Sequence, residues 1–340
     1  MNIVVPIHRV QDAESLVAAG ADELYCGVFT KDEWCDSRGS GCVNHRSEVF
    51  SNLNDFSQLR RLVKKAHDLK IPLSLVLNEF YDDDKLCAAM EQVKQAYDCG
   101  VDAVIISDIG LLRYVREKGY DVSVHISSCA NVFNSHTRAF YKNMGASRII
   151  LPRQLTREEI GSICAGGGME IEVFILNERC FYVDGFCRFQ HGNITKRLGA
   201  ATVLWHFNMW LASAAAVIPR KILQVMHRYV VNHDHACCFP YGIEDGGEPA
   251  FRPQKYFNDP RSFLYACGAC ALRDLKELKV SHVKICGRSM FTERIRNIRF
   301  VKDAIALSEQ DIPQGEFVAE VRGLAQKYRK YCGDQYCYYR

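Results

Sequence analysis

With 340 residues, 48% of them hydrophobic, the chain can bury a large core without disulfide staples. Its 43 basic and 40 acidic residues are mixed along the sequence and leave a formal net charge of +3. That balance excludes a global field strong enough to dictate a nucleic-acid or membrane partner, while leaving room for a local basic groove.

The opening run MNIVVPIHRV has no basic n-region, long apolar stretch or small-residue cleavage site, and it reads directly as a first strand. A cytoplasmic chain is therefore expected. In a reducing cytoplasm its 16 cysteines point to metal or cluster ligation in place of a disulfide framework.

Short apolar runs then alternate with amphipathic stretches. Strands are predicted near 3–7, 23–28, 72–77, 103–107, 122–127, 148–151 and 171–176, with helices over 10–19, 59–69, 85–97, 111–118, 137–144 and 157–163. Gly20, Gly100, Gly119 and Gly145 each follow a predicted helix, where a left-handed residue lets the chain turn into the next strand. An eighth strand, 282–285, comes after a long irregular segment and leads into a helix over 294–307. Eight βα units predict an α/β fold, a TIM-like (β/α)8 barrel over 1–310 with a long cysteine-containing insertion between strands 7 and 8. A C-terminal helix and tail over 311–340 follow, and the tail from 326, with Cys332 and Cys337, reads as peripheral.

The insertion, 190–262, leaves from the C-terminal end of strand seven, the face where such barrels place their chemistry. A lid or cluster-covering segment over that mouth is expected, because connections this long are rarely mere connections. Its most apolar stretch, 209–218, is about half the length that spans a bilayer, so a buried helix over 205–218 is expected and membrane insertion is not.

Cysteines cluster around the same mouth. Cys180-x6-Cys187 follows strand seven directly, Cys237-Cys238 lies in the insertion, and Cys267-x2-Cys270 precedes the last strand. Four thiolates at one strand mouth match what a 4Fe-4S cluster needs, soft anionic ligands on every iron. The run from His233 to Cys238 mixes imidazole and thiolate, so a zinc site is the rival. Cys99, Cys129 and Cys164 fall in or beside core elements and read as ordinary buried thiols.

The run IEVFILNERCFYVDGFC over 171–187 resembles the Glu-x-Phe strand and Cys-x6-Cys of the U32 "peptidase" family. CALRDLKEL over 270–278, VKICGR over 283–288, AESLVAAGADELYCGV over 13–28 and IPLSLVLNEFYDDD over 71–84 are similar to the same family, so the resemblance covers about residues 1–305. It implies a TIM-type barrel. Some members carry the label of collagenase-like peptidases; others are oxygen-independent hydroxylases or hydroxylation factors with a 4Fe-4S cluster, acting on tRNA uridine, ribosomal RNA cytidine or the ubiquinone ring, with prephenate implicated as the oxygen source.

Carried onto this sequence, the resemblance implies Cys180, Cys187 and Cys270 as cluster ligands, with Cys237 or Cys238 as the fourth and Cys42, Cys267 and His233 as alternates. Cys286 stands where the family usually has Glu, and Asp184 where Ser is common. The implied partner is a paralogous U32 chain or a second copy of this one, and the implied substrate an RNA or a small aromatic.

Three readings follow. The first is redox chemistry at an iron–sulfur cluster, which accounts for most of the cysteines. A peptidase is the alternative, although the chain has no G-x-S-x-G elbow and no H-E-x-x-H. A non-catalytic subunit, stabilised by a cluster or zinc, is the third. Polar residues at strand ends, Asn78, His125, Asn131, Arg153, Lys284 and Arg288, are the candidates for handling substrate, with Arg288, Lys284 and His125 the catalytic candidates. Arg288 follows the last strand, where its guanidinium could clamp a carboxylate or phosphate or close the barrel with a salt bridge.

Overall fold

The computed structural model describes residues 1–29, 44, 51–178, 184–186, 243–245, 248–251, 265–287 and 293–339. Eight parallel strands close into a barrel: β1 (Asn2–Pro6), β2 (Glu23–Cys26), β3 (Leu73–Leu77), β4 (Ala103–Ile106), β5 (Ser123–Ile126), β6 (Arg148–Ile150), β7 (Glu170–Leu176) and, after a hairpin of β8 (Ile243–Asp245) and β9 (Glu248–Phe251), β10 (His282–Ile285). β10 closes the ring between β7 and β1. The predicted barrel is thus observed, with every predicted strand within two residues of its expected ends.

The strands read as nearly unbroken apolar runs because both faces are buried. In β3, Leu73, Leu75 and Leu77 pack outward among the helices, together with Leu59, Leu62, Val63 and Ala66 of α2 (Phe56–Asp68). Val76 points inward with Tyr25 of β2 and Ile105 of β4. Each strand thus serves two cores, and the period of two selects which residue serves which.

α1 (Ala13–Ala19) and α2 are followed by α3 (Asp83–Cys99), α4 (Ile109–Glu117), α5 (Ser135–Asn143) and α6 (Arg157–Cys164). Most start on a side-chain cap. Asp55, Asp82, Asp108 and Asn134 each accept the backbone amide three residues on, and Thr156 forms a capping box with Glu159. At the other end Gly20 and Gly100 take φ of +114° and +83°, the left-handed stop that the sequence predicts.

Beyond the hairpin come α7 (Leu272–Glu277), β10, α8 (Arg294–Ser308) and α9 (Gln314–Lys327). The expected helix over 205–218 lies outside the described residues, as does the rest of the 190–262 insertion apart from the β8–β9 hairpin. No helix among the described residues is long and apolar enough to cross a membrane.

The tail corrects an expectation. Far from peripheral, it returns to the C-terminal end of β7. Leu176 bridges Cys267, Cys267 bridges Cys337, and Tyr338 joins the barrel's interior cluster beside Phe174 and Cys286. The pairing joins residues far apart in sequence, so no local periodicity announces it.

Candidate functional site at the C-terminal mouth

Inside the barrel lies a buried charged layer. Arg148 on β6 reaches Glu23 on β2 at 2.8 Å and Glu172 on β7 at 3.0 Å, while its Nε meets Glu170 at 2.8 Å. β2 and β6 stand opposite each other in the strand order, so that contact can pass only through the interior. Lys284 on β10 pairs with Glu172 at 2.7 Å and sits 3.9 Å from the centre of the Tyr25 ring. The Ser74 hydroxyl donates to Glu23 at 2.9 Å, and His125 and His282 approach the same carboxylate at 4.0 and 3.9 Å.

Opposing forces set the protonation of this layer. Burial works to raise Glu172, but the charges of Lys284 and Arg148 outweigh it and hold the carboxyl at about 2. For Glu23 burial wins, and its carboxyl is raised despite Arg148. Burial and the positive charge of Arg148 push both His125 and His282 below 6.5, so both imidazoles are held neutral.

A pH dependence follows. A histidine depressed in the fold stabilises it above 6.5, and that stability is lost as pH falls further, because only the unfolded chain takes up the proton. Glu172 acts in the same direction between 4.5 and about 2, whereas raised Glu23 works the other way just above 4.5. Denaturant unfolding between about pH 7 and about pH 5 should therefore show a falling midpoint, with His125 contributing up to about 1.4 kcal/mol per pH unit. His125→Gln should flatten that fall; an unchanged slope in the variant would contradict the assignment.

An apolar layer of Val4, Tyr25, Val76, Ile105, Ile150 and Phe174 adjoins these charges in the barrel interior. Lys284 pairs in register with Val4 and Phe174, and His125 with Ile105, so both stand beside that layer inside the barrel.

At the mouth itself the backbone is held in unusual conformations. Asn177 and Glu178, directly after β7, are buried and take φ of +66° and +46°, rare for residues with a side chain. Asn177 is over-determined. Its amide donates to the Ala266 carbonyl at 2.7 Å, its side chain to the Cys286 carbonyl at 3.3 Å, and its own carbonyl accepts the Tyr338 hydroxyl.

Arg153, at the end of β6, lies 4.2 Å from the centre of the Phe174 ring, donates to the Glu178 carbonyl and pairs with Asp184 at 3.2 Å. Ser128, beyond β5, donates to the same carboxylate at 2.7 Å, and the Asn131 side chain accepts the Gly185 amide at 3.2 Å. A Cβ on Gly185 would fall 2.0 Å from the Cys129 carbonyl, so only glycine fits. Positions 178 and 184, on either side of Cys180, are therefore both fixed at the mouth, and Phe186 beside Cys187 is 75% exposed.

Of the predicted ligands, Cys270 and its alternate Cys267 lie on this C-terminal face, in and beside the turn Ala269–Ala271. Cys180, Cys187, Cys237, Cys238, Cys42, His233 and Arg288 lie outside the described residues, and no group of three metal-ligating side chains converges among the described ones. Asn78 donates to Ser127 at 3.4 Å, part of the same rim. The sequence reading missed Asn177, Glu178 and Tyr338. A Gly fixed between Asp184 and Phe186 was the one local signal of the clamped turn.

Thiols near the mouth are held protonated. Burial, with help from Asp184, pushes Cys129 up to about 12, and burial pushes Cys267 up to about 12 and Cys270 up to about 11.

The profile of peptidase family U32 matches residues 8–337. The chain belongs to this family. Among its U32 relatives, tRNA hydroxylation protein P of Escherichia coli is 30% identical over 196 residues, covering 57% of this chain and 40% of that protein. The 23S rRNA 5-hydroxycytidine synthase of the same organism is 25% identical over 191 residues, covering 56% and 26%. A Porphyromonas gingivalis protein named collagenase is 24% identical over 196 residues, covering 54% and 44%. The chain spans less than half the length of each of these relatives.

Proposed function

We propose that this U32 chain serves oxygen-independent hydroxylation of an RNA base at the C-terminal mouth of its barrel, with a 4Fe-4S cluster as cofactor and a prephenate-like carboxylic acid as oxygen donor. The observation that carries the reading is its 30% identity to a tRNA hydroxylation protein, together with its likeness to an rRNA hydroxycytidine synthase.

The donor chemistry fits a cluster. Cys180 and Cys187 flank the turn that Asp184 and Gly185 fix at the mouth, and Cys267 is bridged to Leu176, at the end of the same strand. Cys180 and Cys187, with Cys237, Cys238 and Cys270 to complete the set, would hold it; binding would deprotonate thiols that burial keeps protonated. When bound, the cluster supplies electron transfer, its potential set by burial and hydrogen bonds. The chain's own residues supply the rest. Arg153 and Asp184 hold the mouth's shape, Phe174 lies against the Arg153 guanidinium, and Arg288 is the residue proposed to clamp the donor's carboxylate.

The relative named collagenase keeps a peptidase in view. A cysteine nucleophile works as the thiolate, and Cys129, Cys267 and Cys270 are all shifted the other way, which disfavours that chemistry at these thiols.

The test is a nucleoside mass profile of total tRNA and rRNA from a strain lacking the gene. One hydroxylated nucleoside should disappear and return with the wild-type gene. An unchanged profile, with cleavage of a collagen-like peptide by the purified chain, would replace this reading by the peptidase one.

A further inference from the structure

On one side β7 outruns its neighbour. Its last pairing with β6 joins Glu172 to Ile150, yet the strand continues to Leu176 and then into the left-handed Asn177 and Glu178. A strand end beyond its partner leaves backbone donors and acceptors without a ladder, and buried ones must find other partners. The segment 266–268 supplies the first of them. Gly268 donates its amide to the Ile175 carbonyl at 2.8 Å, and the Ala266 carbonyl accepts the Asn177 amide at 2.7 Å.

The C-terminal tail supplies the rest. Its extended stretch pairs with 266–268 in turn: the Cys267 amide donates to the Tyr336 carbonyl at 2.7 Å, and the Tyr338 amide to the Cys267 carbonyl at 3.0 Å. From that frame two side chains reach the main chain of β7 and the residue after it. The Tyr339 hydroxyl donates to the Phe174 carbonyl at 2.6 Å, and the Tyr338 hydroxyl to the Asn177 carbonyl. Gly268 makes room, since a Cβ there would fall 2.9 Å from the Tyr339 ring. Tyr338 itself is buried in the interior cluster with Phe174, Ala266 and Cys286.

Filling that space needs a ring but no hydroxyl, and burying a hydroxyl costs free energy unless it is bonded. The bond it makes falls on the peptide between two left-handed residues, so it fixes the direction in which the chain leaves β7. Arg153 fixes the next carbonyl, that of Glu178, and Cys180 follows two residues on. We infer that the C-terminal tail is a working part of the mouth and that Tyr338 is a positioning residue. Its hydroxyl, acting through the Asn177 peptide from 161 positions downstream, aims the chain that leaves β7 toward the reacting groups. What those groups do rests on the hydroxylation reading; that the tail sets the strand end does not.

The test compares Tyr338→Phe with Tyr328→Phe in the full chain. Each deletes one hydroxyl and its hydrogen bond, but the Tyr328 hydroxyl donates to Asp303 of α8, at 2.6 Å. Hydrogen exchange read by mass should quicken over 174–178 in Tyr338→Phe alone. Purified anaerobically, Tyr338→Phe should keep its iron yet alter the electron paramagnetic resonance spectrum of the reduced cluster, a signature that a loss of stability would not move. Its hydroxylated nucleoside in cells should fall about tenfold or more, since misplacing groups by about 1 Å can cost about a hundredfold. Tyr328→Phe should match wild type in all three. Ending the chain after Tyr331 removes the docking altogether and should give the same changes in stronger form. Unchanged exchange over 174–178 in Tyr338→Phe, or a spectrum and nucleoside yield equal to those of Tyr328→Phe, would overturn the proposal. If wild type holds no cluster and makes no such nucleoside, it is the hydroxylation reading that falls, and exchange over 174–178 alone decides the role of Tyr338.

Discussion

Arg148→Met should destabilise the fold by roughly 3–5 kcal/mol, the range for removing one partner of a buried ion pair. Arg148 is the cation between Glu23, Glu170 and Glu172, and its side chain is only 6% exposed. Without it Glu172 keeps Lys284, but Glu23 keeps only the Ser74 hydroxyl and two imidazoles that are held neutral. Urea unfolding of the variant should show the loss, and the double change Arg148→Met with Glu23→Gln should recover a large part of it, since no buried charge is then left alone. Arg148→Lys should rescue poorly, because one ammonium lacks the fork that meets several carboxylates at once. A loss under about 1 kcal/mol would mean that the layer is solvated, contrary to its burial.

Cys180→Ala or Cys187→Ala should abolish iron and sulfide in anaerobically purified protein, whereas Cys99→Ala should leave both unchanged. Cys99 sits on α3 among core residues with its thiol 3.6 Å from the Phe56 carbonyl, so its loss creates a small cavity costing about 1 kcal/mol. Cluster loss should go further, raising the protease sensitivity of 190–262, because cluster binding and local folding are linked. Full iron content in both variants would remove Cys180 and Cys187 from the ligand set. Stoichiometric zinc without sulfide in the wild type would remove the cluster itself.

How far the sequence foretold this molecule depends on the range of each interaction. Strand positions were legible because burial on both faces writes a dense apolar run, as in Leu73–Leu77. Helix starts were less so. α2 begins at Phe56, three residues ahead of the amphipathic stretch, because Asp55 caps it, and a cap leaves no mark in hydrophobic period. The charged layer was legible only in fragments: Lys284 and His125 stood out at strand ends, but Arg148 and Glu23 meet across 125 positions of sequence. Tyr338 and Cys337 looked like a polar tail for the same reason, since their partners, Asn177 and Cys267, lie 161 and 70 positions away. The mouth was foreseen as a face, through the βα rhythm, but not as a geometry. Of the two left-handed residues, Asn177 is of a type that takes this conformation readily, whereas nothing local announces it at Glu178.

The most direct test of the central claim traces the oxygen. Cells carrying the wild-type gene, the Cys180→Ala gene or no gene are grown under heavy-oxygen gas and again without oxygen, and their RNA nucleosides are weighed. The account predicts one hydroxylated nucleoside made only with the wild-type gene, made equally well without oxygen, and bearing no label from the gas. A nucleoside profile indifferent to the gene, or a hydroxyl labelled from oxygen gas, would contradict it.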